Sequence, residues 1–291
     1  MCQIGVDFLS YQEETTWTHS KRDVEDLSRH REDEKCAKDG RAEFIGASLM
    51  YMNIAVIFAG GAGKRMNTKA IPKQFLEMHG KPVLIYTLEH FQNHPQVDAI
   101  ILVCIASWIE HANTLIRDYH LPKVVDVVPG GDTGQGSIFA GLTCARVISK
   151  SEKDIVLVHD GVRPLIDEQT ITSCLTSVAL RGNAVTTTPA IETIFVQEET
   201  GEVGQIFNRS RCAMARAPQC FYLTDLYEMH LRAQAEGRYD FIDSAMMMQH
   251  YGAELHTVTG PVENIKITTP TDFYLFRALL DAKENMQIVG L

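Results

Sequence analysis

The segment from Phe58 to Gln74 reads F-A-G-G-A-G-K-R-M-N-T-K-A-I-P-K-Q, and it follows the apolar run Asn53 to Ile57. Glycine can take positive φ and lets the backbone pass close to a ligand, so that N–H groups converge on phosphate oxygens. The segment has three such residues, Gly60, Gly61 and Gly63. Its positive charge comes from Lys64, Arg65 and Lys73. A buried strand, a glycine turn and a basic loop together predict a nucleoside triphosphate site at the C-terminal edge of a parallel sheet.

Two common phosphate-binding loops do not fit this segment. The dinucleotide fingerprint requires a third glycine where the chain has Met66, and the P-loop requires glycine at Phe58 and serine or threonine at Arg65. A plain strand-to-helix turn with solvated cations remains the structural alternative. Pro72 directly precedes Lys73 and fixes where its ammonium group points, which favours a binding loop.

Four later segments carry further motifs. They are Pro129 to Asp132 with Ser137, His159 to Pro164, Ala217 to Gln219, and Asn264 to Thr268. With the first segment, they resemble in the same order the motifs of the nucleotidyltransferases that couple CTP to a polyol phosphate. These are the 2-C-methyl-D-erythritol 4-phosphate cytidylyltransferases and their ribitol 5-phosphate relatives. The resemblance covers nearly the whole chain except its N-terminal fifty residues, and five motifs in register make it specific.

The resemblance implies a reaction and a site. A phosphate oxygen of the acceptor would attack the α-phosphorus of CTP in line and pyrophosphate would leave, so the protein mainly positions reactants and stabilises charge. Matching positions imply catalytic roles for Arg65, Lys73 and Lys266. They imply nucleotide binding by Ala59, Gly60, Gly61, Gly63, Gly131, Asp132 and Ser137, and binding of the acceptor by Asp160, Arg163, Thr193 and Arg209. Lys64 matches no catalytic position and is expected to be a surface cation.

The motif that holds Asp160 and Arg163 follows a buried strand, where ligand sites of α/β proteins collect. Asp160 could orient polyol hydroxyls or help hold magnesium, and Arg163 could grip the acceptor phosphate through its planar fork. A structural Asp–Arg pair that closes a loop is the alternative. His159 is expected to be a packed histidine. Mg²⁺ is the expected cofactor, and we expect the triphosphate to bring it rather than a set of protein metal ligands.

The identity of the acceptor stays open at this point. Ile242 stands where the family commonly has a threonine beside the acceptor, and the run from Asn208 to Arg216 is unusually rich in arginine. The acceptor could be methylerythritol phosphate, ribitol phosphate or another polyol phosphate used in a surface polymer. Two other functions are kept as alternatives: a sugar-1-phosphate nucleotidyltransferase and a non-catalytic nucleotide sensor. The sensor is disfavoured by the joint presence of Arg65, Lys73, Asp160, Arg163 and Lys266.

Composition limits the classes of partner. The chain has 291 residues, 45% hydrophobic content and a formal net charge of -10, which argues against nucleic acid as a general partner. Its seven cysteines show no C-x-x-C spacing, so we expect reduced thiols and a cytoplasmic enzyme. No apolar stretch approaches the roughly twenty residues of a membrane helix, and we expect no membrane partner.

Two regions are expected along the chain. Residues 1–51 are rich in charge and are expected to form a polar, dispensable extension that is disordered or helical. Met52 could be an alternative start of the protein. Residues 52–291 are expected to form one cytidylyltransferase domain. The extension hypothesis predicts that a truncation beginning at Met52 keeps folding and activity.

Strand and helix patterns alternate after Met52, which predicts a Rossmann-like, mostly parallel sheet with helices on both faces. The predicted strands are Asn53 to Ala59, Ala99 to Cys104, Val124 to Val128, Asp154 to Val158 and Ala184 to Thr188. The predicted helices are Val83 to Phe91, Trp108 to Asp118, Gly136 to Ile148, Glu168 to Ala179 and a last helix that begins at Pro270.

The pattern changes at about residues 190–213, where two short apolar runs flank a polar turn at Glu198 to Glu202. This pattern predicts a β-hairpin rather than another βα unit. The resemblance implies that the hairpin is an arm that reaches across a homodimer and completes the neighbouring site. A flap folded on its own subunit is the alternative.

Overall fold

The computed structural model of the chain describes residues 51–61 and 71–289. The predicted extension lies outside these residues apart from its last position. The predicted site residues Gly63 and Arg65, and the surface cation Lys64, also lie outside them.

The described residues form a central sheet flanked by helices. The strands are β1 Asn53–Ala59, β2 Glu77–Met78, β3 Lys81–Pro82, β4 Ala99–Cys104, β5 Val124–Pro129, β6 Ile155–Asp160, β7 Asn183–Pro189, β8 Phe195–Gln197, β9 Val203–Ile206, β10 Ala213–Tyr222 and β11 Thr257–Thr259. The helices are α1 Val83–Asn93, α2 Ile109–Asp118, α3 Gly134–Ile148, α4 Glu168–Arg181, α5 Leu223–Ala235, α6 Ser244–His250 and α7 Pro270–Val289.

Seven strands form the main sheet in the order β11-β7-β10-β6-β1-β4-β5. Strand β1 pairs in parallel with β4 and β6, β4 with β5, and β11 with β7. Only β10 among these strands runs antiparallel to its neighbours, β6 and β7. The predicted class, a mostly parallel α/β sheet, is confirmed.

Helices cover both faces because successive side chains of a strand point to opposite sides. Ile54 and Val56 of β1 pack in a cluster with residues of α3, α5 and α6, including Leu142. Ile57 packs in a second cluster with residues of α1, α2 and α4, including Leu88. The continuous apolar runs of β1, β4 and β6 are therefore explained by burial on both faces.

Local signals set the helix boundaries. Asp167 caps α4 by accepting a hydrogen bond from the Thr170 N–H at 2.7 Å, and Gly182, with φ of 86°, ends the helix in the left-handed conformation. Helix α7 begins at Pro270, as predicted, with Asp272 in its first turn. Every helix within the described part of the chain is too short or too polar to span a bilayer.

The predicted hairpin is present as an antiparallel pair of strands apart from the main sheet. Strand β8 pairs with β9, with Phe195 opposite Ile206 and Gln197 opposite Val203. All three residues of β8 are exposed.

Candidate active site

A cavity of about 500 Å³ opens at the edge of the sheet where β1, β5 and β6 end. The carboxyl ends of parallel strands meet at one edge, which is where α/β folds place their ligands. The cavity is lined by Phe58, Ala59, Gly60, Gly61, Lys73, Gln74, Gly131, Asp132, Thr133, Gly134, Ser137, Asp160, Val162, Lys266 and Thr268.

Nine residues singled out from the sequence line this cavity: Ala59, Gly60, Gly61, Lys73, Gly131, Asp132, Ser137, Asp160 and Lys266. Arg163 does not line the cavity itself, but it forms an ion pair with Asp160, which does. Thr193 and Arg209 are exposed near the hairpin and do not line the cavity of their own subunit, and Arg209 donates from Nη1 to the Ile191 carbonyl at 2.9 Å. The fold therefore gathers most of the predicted site from segments far apart in the sequence.

Two glycine loops meet at one side of the cavity. A Cβ atom at Gly60 would lie 3.0 Å from Oγ of Ser137, and one at Gly130 would lie 3.1 Å from the Cα of Gly60. Neither Gly60 nor Gly61 has positive φ, so the expectation of left-handed backbone is wrong at these positions. Close approach of the two loops is the physical reason for glycine at position 60.

Helix α3 directs its N-terminus at the same side of the cavity. Thr133 caps the helix, with Oγ1 accepting a hydrogen bond from the Gly136 N–H at 3.0 Å. Gly134 and Ser137, both in the first turn, line the cavity. Unpaired N–H groups and the positive end of the helix dipole favour an anion here.

Lys73 and Gln74 attach the second half of the opening segment to the site. The Gln74 side chain is buried and donates from Nε2 to the Ala59 carbonyl at 2.6 Å, at the end of β1. Lys73 donates from Nζ to the Ile267 carbonyl at 2.8 Å. These bonds hold a cation between the end of β1 and the segment that carries Lys266.

An ion-pair cluster occupies the opposite side of the cavity. Asp160 is 5% exposed; its Oδ1 lies 2.6 Å from Nζ of Lys266 and its Oδ2 lies 2.7 Å from Nε of Arg163. Burial alone would raise the pKa of Asp160, but the charges of Lys266 and Arg163 and their hydrogen bonds lower it to about 2. The carboxylate is therefore ionised at any pH near neutrality.

Asp160 and Arg163 form the loop-closing ion pair that the sequence analysis gave as the alternative to acceptor binding. Arg163 is 7% exposed, and it also donates from Nη1 to the Asn264 carbonyl at 2.9 Å. The same carboxylate holds Lys266, whose side chain is 39% exposed. Asp160 thus closes its loop and positions a cavity-lining cation at once.

His159 is a packed histidine, as predicted. It is fully buried, its ring lies 5.0 Å from that of Phe91, and Nε2 lies 3.3 Å from the Arg163 carbonyl. Burial lowers its pKa to about 3, and the charge of Asp160 opposes this only in part. The ring is therefore neutral and serves packing.

Sequence reasoning missed several residues that build the site. Gln74 and Thr133 line it, and buried Asn264 donates from Nδ2 to the Ala217 carbonyl at 2.7 Å. The signals were present, because Gln74 and Asn264 stand inside quoted motifs and threonine is a favoured helix cap. Their partners are distant in the chain, so the role of each became visible only in the fold.

One group of residues in the described ranges has metal-ligand spacing: His79, Asp281 and Glu284. It lies outside the cavity lining, and the ring of His79 is 3.0 Å from Asp281 and 3.4 Å from Glu284. The carboxylates that line the cavity itself are Asp132, which is exposed, and Asp160.

Comparison with known proteins gives the family of the chain. The family model for 2-C-methyl-D-erythritol 4-phosphate cytidylyltransferase matches residues 53–282. A ribitol-5-phosphate cytidylyltransferase of Streptococcus agalactiae serotype Ia is 49% identical over 240 residues, which cover 82% of this chain and all of that protein. A 2-C-methyl-D-erythritol 4-phosphate cytidylyltransferase of Bacillus licheniformis is 36% identical over 239 residues, which cover 82% of this chain and 100% of that protein.

A solved structure shares the fold. The crystal structure of 4-diphosphocytidyl-2C-methyl-D-erythritol synthase from Anaerococcus prevotii superposes with a TM-score of 0.68 at 25% identity, covering 79% of this chain and 96% of that one. The resemblance drawn from the five motifs is therefore confirmed. The chain belongs to the 2-C-methyl-D-erythritol 4-phosphate cytidylyltransferase family of enzymes, which includes ribitol-5-phosphate cytidylyltransferases.

Proposed function

We propose that the chain transfers the cytidylyl group of CTP to D-ribitol 5-phosphate. An oxygen of the acceptor phosphate attacks the α-phosphorus of CTP and the bond from that phosphorus to the bridging oxygen breaks. The products are CDP-ribitol and pyrophosphate. The observation that carries the proposal is the cavity between two glycine loops and the cation cluster around Asp160.

The nucleotide fits the glycine side of the cavity. Small residues and backbone groups at Ala59, Gly60 and Gly131 leave room for a pyrimidine ring. The N-terminus of α3 and the Lys73 ammonium group suit the triphosphate. Gly63 and Arg65, predicted from the sequence, would complete this half.

Lys266 is the proposed catalytic cation on the other side. It is partly exposed to the cavity and its ammonium group is fixed by Asp160, so little reorganisation is needed when negative charge develops. Arg163 is anchored by Asp160 and Asn264 and supports the loop that faces the acceptor. We propose that the acceptor lies on this side of the cavity. Asp160 and Arg163, which the sequence analysis predicted to bind the acceptor, both lie there.

The acceptor assignment to ribitol 5-phosphate is supported by similarity. Identity is higher to the ribitol-5-phosphate cytidylyltransferase of Streptococcus agalactiae than to the methylerythritol phosphate enzyme of Bacillus licheniformis. Ile242, which replaces the hydroxyl-bearing residue expected there, is 86% exposed and free to contact a ligand or partner. Both features favour an acceptor other than methylerythritol phosphate.

Mg²⁺ is proposed as the cofactor that enters with the triphosphate. Both oxygens of Asp160 are already paired with cations, which leaves Asp132 as the cavity carboxylate best able to contact the ion. Phosphate oxygens and water suit Mg²⁺ as its remaining ligands. When bound, the ion would reduce the negative charge of the triphosphate.

The hairpin supports a homodimer. It exposes several large apolar side chains: Ile191, Phe195, Val196, Val203, Ile206 and Phe207. A two-stranded hairpin is only marginally stable alone, so burial against a second copy is a physical use for this surface. Thr193 and Arg209 would then serve the partner's cavity. Free cysteines and CTP as donor support a cytoplasmic location.

The direct test is pyrophosphate release by the full chain with Mg²⁺ and ribitol 5-phosphate, comparing CTP with UTP, ATP and GTP. The proposal predicts turnover with CTP that is lost in Lys73→Ala. Turnover with UTP and a sugar 1-phosphate instead would favour the other class of nucleotidyltransferase. CTP binding without pyrophosphate release would refute catalysis.

A further inference from the structure

Arg216 is a cation of β10 whose role the proposed mechanism leaves unassigned. Its side chain is half-buried and donates from Nε to Oγ1 of Thr188 at 3.3 Å. Within the described residues, Arg216 forms no ion pair with a carboxylate. A partly buried cation without a carboxylate partner is unfavourable, which points to an anion as its counterpart.

Arg216 lies close to Arg163. Asn264 connects the two segments, because its Nδ2 donates to the Ala217 carbonyl at 2.7 Å and its own carbonyl accepts from Arg163 Nη1 at 2.9 Å. Burial, and then the positive charge of Arg163, lower the pKa of Arg216. Lys266 and Arg163 share the single carboxylate of Asp160, and Arg216 adds a third cation near Arg163, so the region carries a surplus of positive charge.

The strand order places Arg216 away from the nucleotide half. The glycine loops follow β1 and β5, whereas β10 lies beyond β6 in the sheet. Strand β10 runs antiparallel to β6 and Gln219 pairs with Val158, so residues just before Gln219 lie at the edge where β6 ends at Asp160. Arg216 therefore lies at the same edge of the sheet as the end of β6, next to the residues that line the cavity rather than among them.

We infer that Arg216 binds the phosphate group of the acceptor. The inference rests on the proposed function and names one of the residues that would recognise the polyol phosphate. A guanidinium group suits this task because its planar fork can donate two parallel hydrogen bonds to a phosphate. Arg163, with Nε and Nη1 already bonded, has fewer donors to offer.

The test is steady-state kinetics of pyrophosphate release by Arg216→Gln and Arg216→Lys in the full chain. Loss of a charge-assisted hydrogen bond should raise the KM for ribitol 5-phosphate by about tenfold or more in Arg216→Gln. The KM for CTP and the unfolding temperature should stay near those of the wild type. Arg216→Lys should show a smaller rise in the KM for the acceptor.

A matched control is Arg146→Gln, because Arg146 also donates to a threonine hydroxyl, Oγ1 of Thr224, at 3.1 Å, but lies in the last turn of α3, at the helix end opposite to the one that lines the cavity. It should leave both KM values unchanged. The inference is overturned if Arg216→Gln keeps the wild-type KM for the acceptor, or if both KM values rise together with a lower unfolding temperature. A wild-type chain without turnover on ribitol 5-phosphate would instead overturn the proposed function, and this inference with it. If Arg216→Gln does not fold, the KM for the acceptor in Arg216→Lys decides.

Discussion

The ammonium nitrogen of Lys266 lies 2.6 Å from Oδ1 of Asp160, a carboxylate that is almost fully buried. The second oxygen of Asp160 is held by Arg163, so the carboxylate cannot turn away from Lys266. The result is a cation with a fixed position at the edge of a cavity. Preorganised charge of this kind is what phosphoryl transfer requires from a protein.

Lys266→Met should lower kcat by about a hundredfold or more, because it removes a charge that acts mainly in the transition state. Stability should change little, since the side chain is 39% exposed and Asp160 keeps Arg163 as a partner. The measurement is kcat and the unfolding temperature. Lys81→Met is the control: Lys81 also pairs with a carboxylate, Glu89, at 2.8 Å, but lies outside this cavity. Equal losses in both variants would argue against a special role for Lys266.

Asp160→Asn should lower both activity and stability. The buried Arg163 would lose its counter-charge, which costs about 3 kcal/mol of unfolding free energy. Lys266 would lose its fixed position and kcat would fall with it. Urea unfolding and kcat measure the two effects, with exposed Asp126→Asn as the control. An active Asp160→Asn variant of wild-type stability would contradict the positioning role.

His230→Phe should reduce the loss of stability in mild acid. Burial lowers the pKa of His230 to about 4 from an ordinary value of 6.5, so the folded chain holds the ring neutral. Unfolding takes up a proton below pH 6.5, and stability therefore falls as the pH drops from there towards 4. The loss at pH 5 is about 2 kcal/mol for one such histidine.

Phenylalanine keeps the stacking on Phe139, whose ring lies 5.7 Å away, and removes two ring nitrogens that have no partner in the described residues. The difference in unfolding free energy between pH 7.5 and pH 5 should shrink by about 2 kcal/mol. An unchanged difference would show that His230 does not contribute to the acid sensitivity. His159, with a pKa of about 3, contributes with the same sign and remains in the variant.

Ile206→Glu should weaken the proposed homodimer by about tenfold or more, because it places a charge in an apolar contact. Ile206 is 63% exposed and lies opposite Phe195 in the hairpin. Light scattering at graded concentrations measures the change. Val147→Glu, at an 81% exposed position of α3, is the control and should leave the assembly intact. A wild-type chain that is monomeric and fully active would contradict the role of the hairpin.

Most of the parallel part of the sheet was predictable from sequence, although β11, which pairs in parallel with β7, was not predicted. Strands β1 and β4 have the predicted bounds, and β5 is one residue longer at its end. Strand β6 begins one residue later and ends two residues later than predicted, and β7 is one residue longer at each end. Continuous apolar runs separated by helical patterns identify such strands directly. Strand β10 was not predicted, because an antiparallel strand that inserts between β6 and β7 leaves no mark of its neighbours in the local sequence.

The site was predictable as a set of motifs but not as a set of contacts. The glycine loops and basic residues predicted a nucleotide site from the sequence alone. The contact of Lys266 with Asp160 joins positions 106 residues apart, and no local pattern records it. The hydrogen bond from Gln74 to Ala59, and the place of Arg216 beside Arg163, likewise depend on how the chain folds.

The central claim is tested most directly by the ratio of kcat/KM for D-ribitol 5-phosphate to that for 2-C-methyl-D-erythritol 4-phosphate, each with CTP and Mg²⁺. We predict a ratio above about ten in favour of ribitol 5-phosphate, with CDP-ribitol identified by mass spectrometry. A ratio below one would assign the methylerythritol phosphate reaction instead. If neither acceptor gives a product, the proposed function is contradicted.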